Sequence, residues 1–134
     1  MIGNHAIKAW SITQAVIALS SGEAEYYGIV KGSSVGLGIR SVLADLGCKV
    51  RLVVCTDSSA AKGMASRKGL GNVRHVEVNQ LWVQDKVGAG EIELRKVDGS
   101  INLADALTKY VDGAGISAHT VSYTHLTLPT KRIV

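Results

Sequence analysis

A chain of 134 residues that is 46% hydrophobic and 19% charged has the length of one domain and too much apolar content for a disordered polymer. Fifteen glycines and one proline suit an α/β protein with tight turns, and a net charge of +4 permits an anionic partner without specifying one. Nowhere do eighteen apolar residues run together, and the opening MIGNHAIKAW holds no signal-peptide core, so the sequence predicts no membrane span and, by elimination, a cytoplasmic or nuclear setting.

The first segment, HAIKAWSITQAVIAL at residues 5–19, alternates apolar and polar positions in part and predicts a strand followed by an extended connection. Residues 20–46 carry no proline and a helical recurrence of apolar side chains that Gly47 brings to a stop, which predicts one long helix. KVRLVVCTD, residues 49–57, is a nearly continuous apolar run ending in a polar residue, the pattern of a strand buried on both faces. A short helix follows at residues 58–66, and then RKGLGNVRH makes a basic loop with glycines at residues 67–75. VEVNQLWVQDKVGAG carries Val78, Leu81, Trp82 and Val87 into another helix, EIELRKV alternates as a strand, and SINLADALTKYV reads as a last helix. The order β, α, β, α, α, β, α gives an α/β fold with a mixed sheet and flanking helices. GAGISAHTVSYTHLTLPTKRIV breaks every period, so the domain is expected to occupy residues 1–112, with an unstructured appended tail at 113–134. Cys48 and Cys55 match no zinc spacing and read as reduced thiols, and Trp10 and Trp82 are expected in the core.

Three carboxylates stand out against this frame. With Ser20 as N-cap, Glu23 falls at the third helical position of a Ser-x-x-Glu capping box. At about 100° per residue, Glu25 shares a stripe with Gly28, Gly32, Val35, Ile39, Leu43 and Leu46, whereas Glu23 falls opposite, with Val30 and Leu37. Glu25 is therefore expected to point toward the sheet, where a carboxylate needs a cation or a metal. Asp57 ends the central strand, where open α/β sheets place ligands, although an aspartate before SSAAKGMAS is also a good helix cap. Asp105 is at the third position of a helix capped by Asn102, where an acid also favours the helix dipole. Together the three suit hard divalent cations and phosphodiester cleavage.

The blocks IKAWSITQAVIALSSGEAEYYGIVKG, LVVCTDSSAAKGMASRKGLGNVRHVEVNQLWVQDKV and GEIELRKVDGSINLADALTKYV, in this order and spacing, resemble the ribonuclease H domain at the end of copia-type retrotransposon Pol polyproteins. The resemblance covers about residues 5–111. It implies a ribonuclease H-like fold, an RNA/DNA hybrid as substrate, reverse transcriptase and integrase regions as neighbours in the polyprotein, and two Mg²⁺ or Mn²⁺ ions held by four carboxylates. The family's Glu-Tyr, Thr-Asp-Ser and Ala-Asp-x-x-Thr-Lys patterns fall on Glu25, Asp57 and Asp105 as metal ligands and catalytic residues. Its first-strand aspartate, in a Ser-Asp-Ala-Asp-Trp block, has no counterpart, so the resemblance implies a fragment lacking the first strands. Arg67, Lys68 and Arg74 are the expected phosphate contacts, against the alternative of a plain solvated turn. His75 is given no catalytic role. Two functions follow: a hybrid-cleaving ribonuclease fragment, or a catalytically inactive remnant that at most binds nucleic acid.

Overall fold

The computed structural model describes residues 1–3, 5–71, 76, 80–102 and 104, and the chain divides into two compact units, Gln14–Val97 and a second made of Met1–Thr13 with Asp98–Val134. The last helix, the tail, Arg74, His75, Val78 and Asp105 lie outside the described residues.

The larger unit is organised by α1 (Ser21–Asp45). Ser20 caps it as the sequence predicts, its hydroxyl accepting from the Glu23 amide at 3.2 Å. The returning bond of the capping box is displaced by one residue, since the Glu23 carboxylate accepts from Leu19 N–H at 2.9 Å and not from the cap's own amide. At the other end, Gly47 takes φ +84°, its N–H bonding to Ala44 O at 2.9 Å while Cys48 N–H reaches Leu43 O at 2.7 Å. These two bonds close a Schellman turn, for which a residue without Cβ is the favoured choice.

After the turn, β1 (Leu52–Thr56) pairs in parallel with β2 (Ile92–Lys96), in the register Leu52 to Ile92 through Thr56 to Lys96. Two short helices, α2 (Ser59–Ser66) and α3 (Trp82–Gly88), make the crossover between them. The fold is thus α/β, and its described sheet is purely parallel. The predicted mixed sheet needed a strand within residues 5–19, and none forms there; His5 makes an isolated antiparallel bridge with Ile2. Alternation supplies a face but not a partner edge, and Ile7, Ile12, Ile17 and Leu19 all remain exposed. Nor is β1 buried on both faces: Cys55 is exposed and Leu52, Val53 and Val54 are half-buried.

The core joins Tyr26, Tyr27, Ile29 and Val30 of α1 to Ala61, Met64 and Ala65 of α2, with Val76, Val83 of α3 and Ile92 of β2 completing it. Trp82 packs against it as expected, whereas Trp10 belongs to the other unit, half-buried, with the Lys8 ammonium 5.6 Å from its ring centroid. Arg40 bonds both the Glu91 carbonyl (2.8 Å) and carboxylate (3.1 Å), fastening α1 to the α3–β2 turn. Hydrogen bonds from Lys86 and then Arg40 hold the Glu91 carboxyl below the usual range. Both cysteines are free, and no helix among the described residues is long and apolar enough to cross a membrane.

Candidate functional site

Two glycines fix how α1 lies on the rest of its unit. A Cβ on Gly22 would meet Ala60 at 3.1 Å and Met64 at 3.3 Å, and one on Gly36 would come within 2.5 Å of Leu52 Cδ1. The start of α1 therefore touches the start of α2, just beyond the end of β1, and its middle touches the start of β1. Helix and strand run antiparallel, which brings the first turns of α1 to the carboxyl end of the strand, where open α/β sheets place their ligands.

Asp57 sits at that end, half-buried. Its neighbours carry the local backbone bonding. The buried Thr56 hydroxyl accepts from Ser58 N–H at 3.1 Å, and the Ser58 hydroxyl accepts from Ala61 N–H at 3.1 Å. The N-cap of α2 is thus Ser58, not Asp57. Of the two roles the sequence offers for Asp57, the helix cap is filled by Ser58.

Glu25 requires a correction. The sequence stripe places it toward the sheet with Glu23 opposite, and the structure has the reverse: Glu23 is 3% exposed, inside, and Glu25 is exposed. The buried face of α1 is the one that holds Glu23, Tyr26, Val30 and Ser33, with Leu37 packed against the core. Gly28 and Gly32 misled the face assignment, since each counts as apolar yet has no side chain to bury, and a Cβ at either would meet nothing within 4 Å. Glu25 nonetheless stands about 20° around the helix from Gly36 and about 60° from Gly22, the two points of contact with β1 and α2. It occupies the border between the packed face and an open apolar stripe of Val35, Ile39, Val42 and Leu46, of which Val42 and Leu46 are 59% and 73% exposed.

The basic loop is described only from Arg67 to Gly71. Arg67 is half-buried and its guanidinium donates to Leu70 O within the loop, so it shapes the loop more than it offers charge. Lys68 is exposed. Gln84, which sequence reasoning passed over, is 7% exposed and bonds Met64 O (2.7 Å), Gly69 O (3.0 Å) and Gly69 N–H (2.8 Å). Its one sequence signal is its place three residues after Leu81 on an otherwise apolar helix face. Tyr26, just after Glu25, is 1% exposed and donates to Gln80 O at 2.8 Å; burial pushes its hydroxyl up to about 12, with Tyr27 adding to the rise and Arg67 opposing it.

Glu25 and Asp57 present carboxylate oxygens, the donor chemistry of Mg²⁺ or Mn²⁺. Among the described residues no three His, Cys, Asp or Glu side chains group closely enough to hold a metal ion, and the third candidate ligand, Asp105, lies outside them. Asn102 accepts from Ala104 N–H at 3.2 Å, the bond a cap at Asn102 makes.

The chain is similar to two plant proteins. It is 29% identical over 108 residues to the retrovirus-related Pol polyprotein from transposon TNT 1-94 of Nicotiana tabacum, and 28% identical over 111 residues to that from transposon RE1 of Arabidopsis thaliana. The matches cover 79% and 81% of this chain and 8% of each relative, so the chain spans a small part of the polyproteins it resembles. No protein-family model and no solved structure matches it.

Proposed function

We propose that the chain is part of the ribonuclease H region of a copia-type Pol polyprotein, which hydrolyses the RNA strand of an RNA/DNA hybrid beside reverse transcriptase and integrase regions. The observation that carries the reading is the position of the half-buried Asp57 at the end of β1, beside the first turns of the helix that bears Glu25. The similarity to two Pol polyproteins supports the same reading.

In this reading Glu25, Asp57 and Asp105 hold Mg²⁺ or Mn²⁺, which when bound supplies an activated water and stabilises charge on the leaving 3′ oxygen. The Thr56 and Ser58 hydroxyls hold the turn from β1 into α2 in which Asp57 lies. Lys68 and Arg74 meet phosphates, and Arg67 keeps the loop in shape. The open stripe of α1 beyond Glu25 is then the face that a further strand covers, and such a strand would bring the fourth carboxylate.

The test is cleavage of a labelled hybrid with Mg²⁺ or Mn²⁺, comparing the 134-residue chain with a version extended by a family-like first hairpin that carries the aspartate. Cleavage by the extended form, lowered about a hundredfold or more by Asp57→Asn, is expected. Undiminished cleavage by Asp57→Asn would refute the site. Salt-sensitive binding without cleavage in the extended form would favour the inactive, nucleic-acid-binding remnant.

A further inference from the structure

We infer that Gln84 is a positioning residue for hybrid binding, holding Gly69 so that Lys68 is presented to a phosphate; the inference rests on the ribonuclease H reading above. The side-chain amide of Gln84 behaves as an extra peptide group. It donates to Gly69 O and accepts from Gly69 N–H, and its remaining N–H goes to Met64 O. Met64 O is one of the last four carbonyls of α2, which have no partner within their own helix, and α2 has no basic side chain in its last turn to meet them. One buried amide therefore ties together the end of α2, the middle of the basic loop and α3.

The consequence falls on the residue next to the clamp. Lys68 is exposed, and both residues beside it are held: Arg67 through its bond to Leu70 O and Gly69 through Gln84. The backbone on its C-terminal side is held at Gly69, and the Arg67 side chain spans from its N-terminal side to Leu70, so less of the loop remains to be ordered when a phosphate binds. An arrangement set before binding removes part of the ordering cost that a mobile loop would carry. Gln84 itself is too buried to touch the nucleic acid, so its effect has to pass through Lys68.

The experiment measures hybrid affinity of the purified chain by fluorescence anisotropy from 50 to 200 mM salt, with Lys68→Gln, Gln84→Met and the double variant. Each phosphate contact contributes about 0.9 to the slope of log affinity against log salt, which at 0.1 M amounts to about eightfold in Kd. Lys68→Gln should show that loss. Gln84→Met removes no charge, yet should show most of the same loss and the same flattening of slope, and the double variant should be no weaker than Lys68→Gln. In the cleavage assay of the extended form, Gln84→Met should raise KM several-fold and leave kcat unchanged. Should Gln84→Met fail to fold by circular dichroism, Gln84→Asn, which keeps the polar amide but is one methylene too short to bond both Met64 O and Gly69, enters the same comparison. Wild-type affinity and slope in a folded Gln84 variant, or losses that multiply in the double variant, would overturn the inference alone. A wild-type chain with no hybrid affinity at any salt would overturn it together with the ribonuclease H reading.

Discussion

Replacing Tyr26 with phenylalanine removes one hydroxyl and nothing else from the most buried large side chain of the unit. At neutral pH the change loses the 2.8 Å bond to Gln80 O; because Gln80 is only half-buried and water can reach its neighbourhood, the loss should sit at about 1 kcal/mol. For a unit of this size that is a fall of about 4–8 °C in Tm. The sign changes with alkalinity. Burial raises the folded-state pKa of this hydroxyl from 10.0 to about 12, so the folded protein holds the proton more tightly than the unfolded chain. The associated stability is fully present below pH 10 and is lost as pH rises from 10 toward 12, by about 1.4 kcal/mol per pH unit at its steepest. Tyr26→Phe has no such proton to lose. Urea unfolding of both proteins at pH 7, 9, 10, 10.5 and 11 should show the wild type ahead by about 1 kcal/mol up to pH 9 and level with the variant between about pH 10.5 and 11. A gap that stays constant from pH 7 to 11 would show that Tyr26 is not the buried donor described here.

Ser58→Ala should cost about 1 kcal/mol of stability by urea unfolding, as loss of a helix cap does, and an unchanged midpoint would show that Ser58 does not cap α2. Gly36→Ala places a methyl group 2.5 Å from Leu52 Cδ1, so the half-buried Leu52 side chain must turn aside; that overpacking, about 1–3 kcal/mol, is offset by the gain of about 1 kcal/mol that alanine brings to a helix interior, and a net loss of no more than about 2 kcal/mol is expected by the same measurement.

The parts legible in the sequence are those that local chemistry decides. The start and stop of α1 are written in Ser20, Glu23 and Gly47, each acting on backbone groups within four residues of itself. The apolar run of residues 49–57 likewise announces β1 without regard to what covers it. The face of α1 is not legible in the same way, because its two apolar stripes differ chiefly in side-chain bulk. One has Tyr26, Tyr27 and Ile29; the other has Gly28 and Gly32, which carry no surface to bury. Asp57 and Ser58 are both good caps by residue type, and only the bond from Ala61 N–H separates them. Gln84 is invisible for a simpler reason: a glutamine on a short helix is ordinarily solvated, and its burial depends on backbone groups fifteen and twenty residues away. The strand expected within residues 5–19 had alternation without a partner.

The register of the parallel pair also sets the order in which the molecule can be made. Leu52 lies opposite Ile92, forty positions later in the chain, so β1 leaves the ribosome well before the strand it pairs with. At about 5–20 residues per second, a few seconds pass in which α1, β1 and α2 exist without β2. Over that interval the backbone groups of Leu52, Val53 and Val54 are open to any extended segment nearby, including the same segment on a neighbouring nascent chain. Faster translation across the α2–α3 crossover shortens the exposure, and a pause there prolongs it. Synonymous codon choice over these forty positions should therefore alter soluble yield in a cell-free system without changing a single side chain.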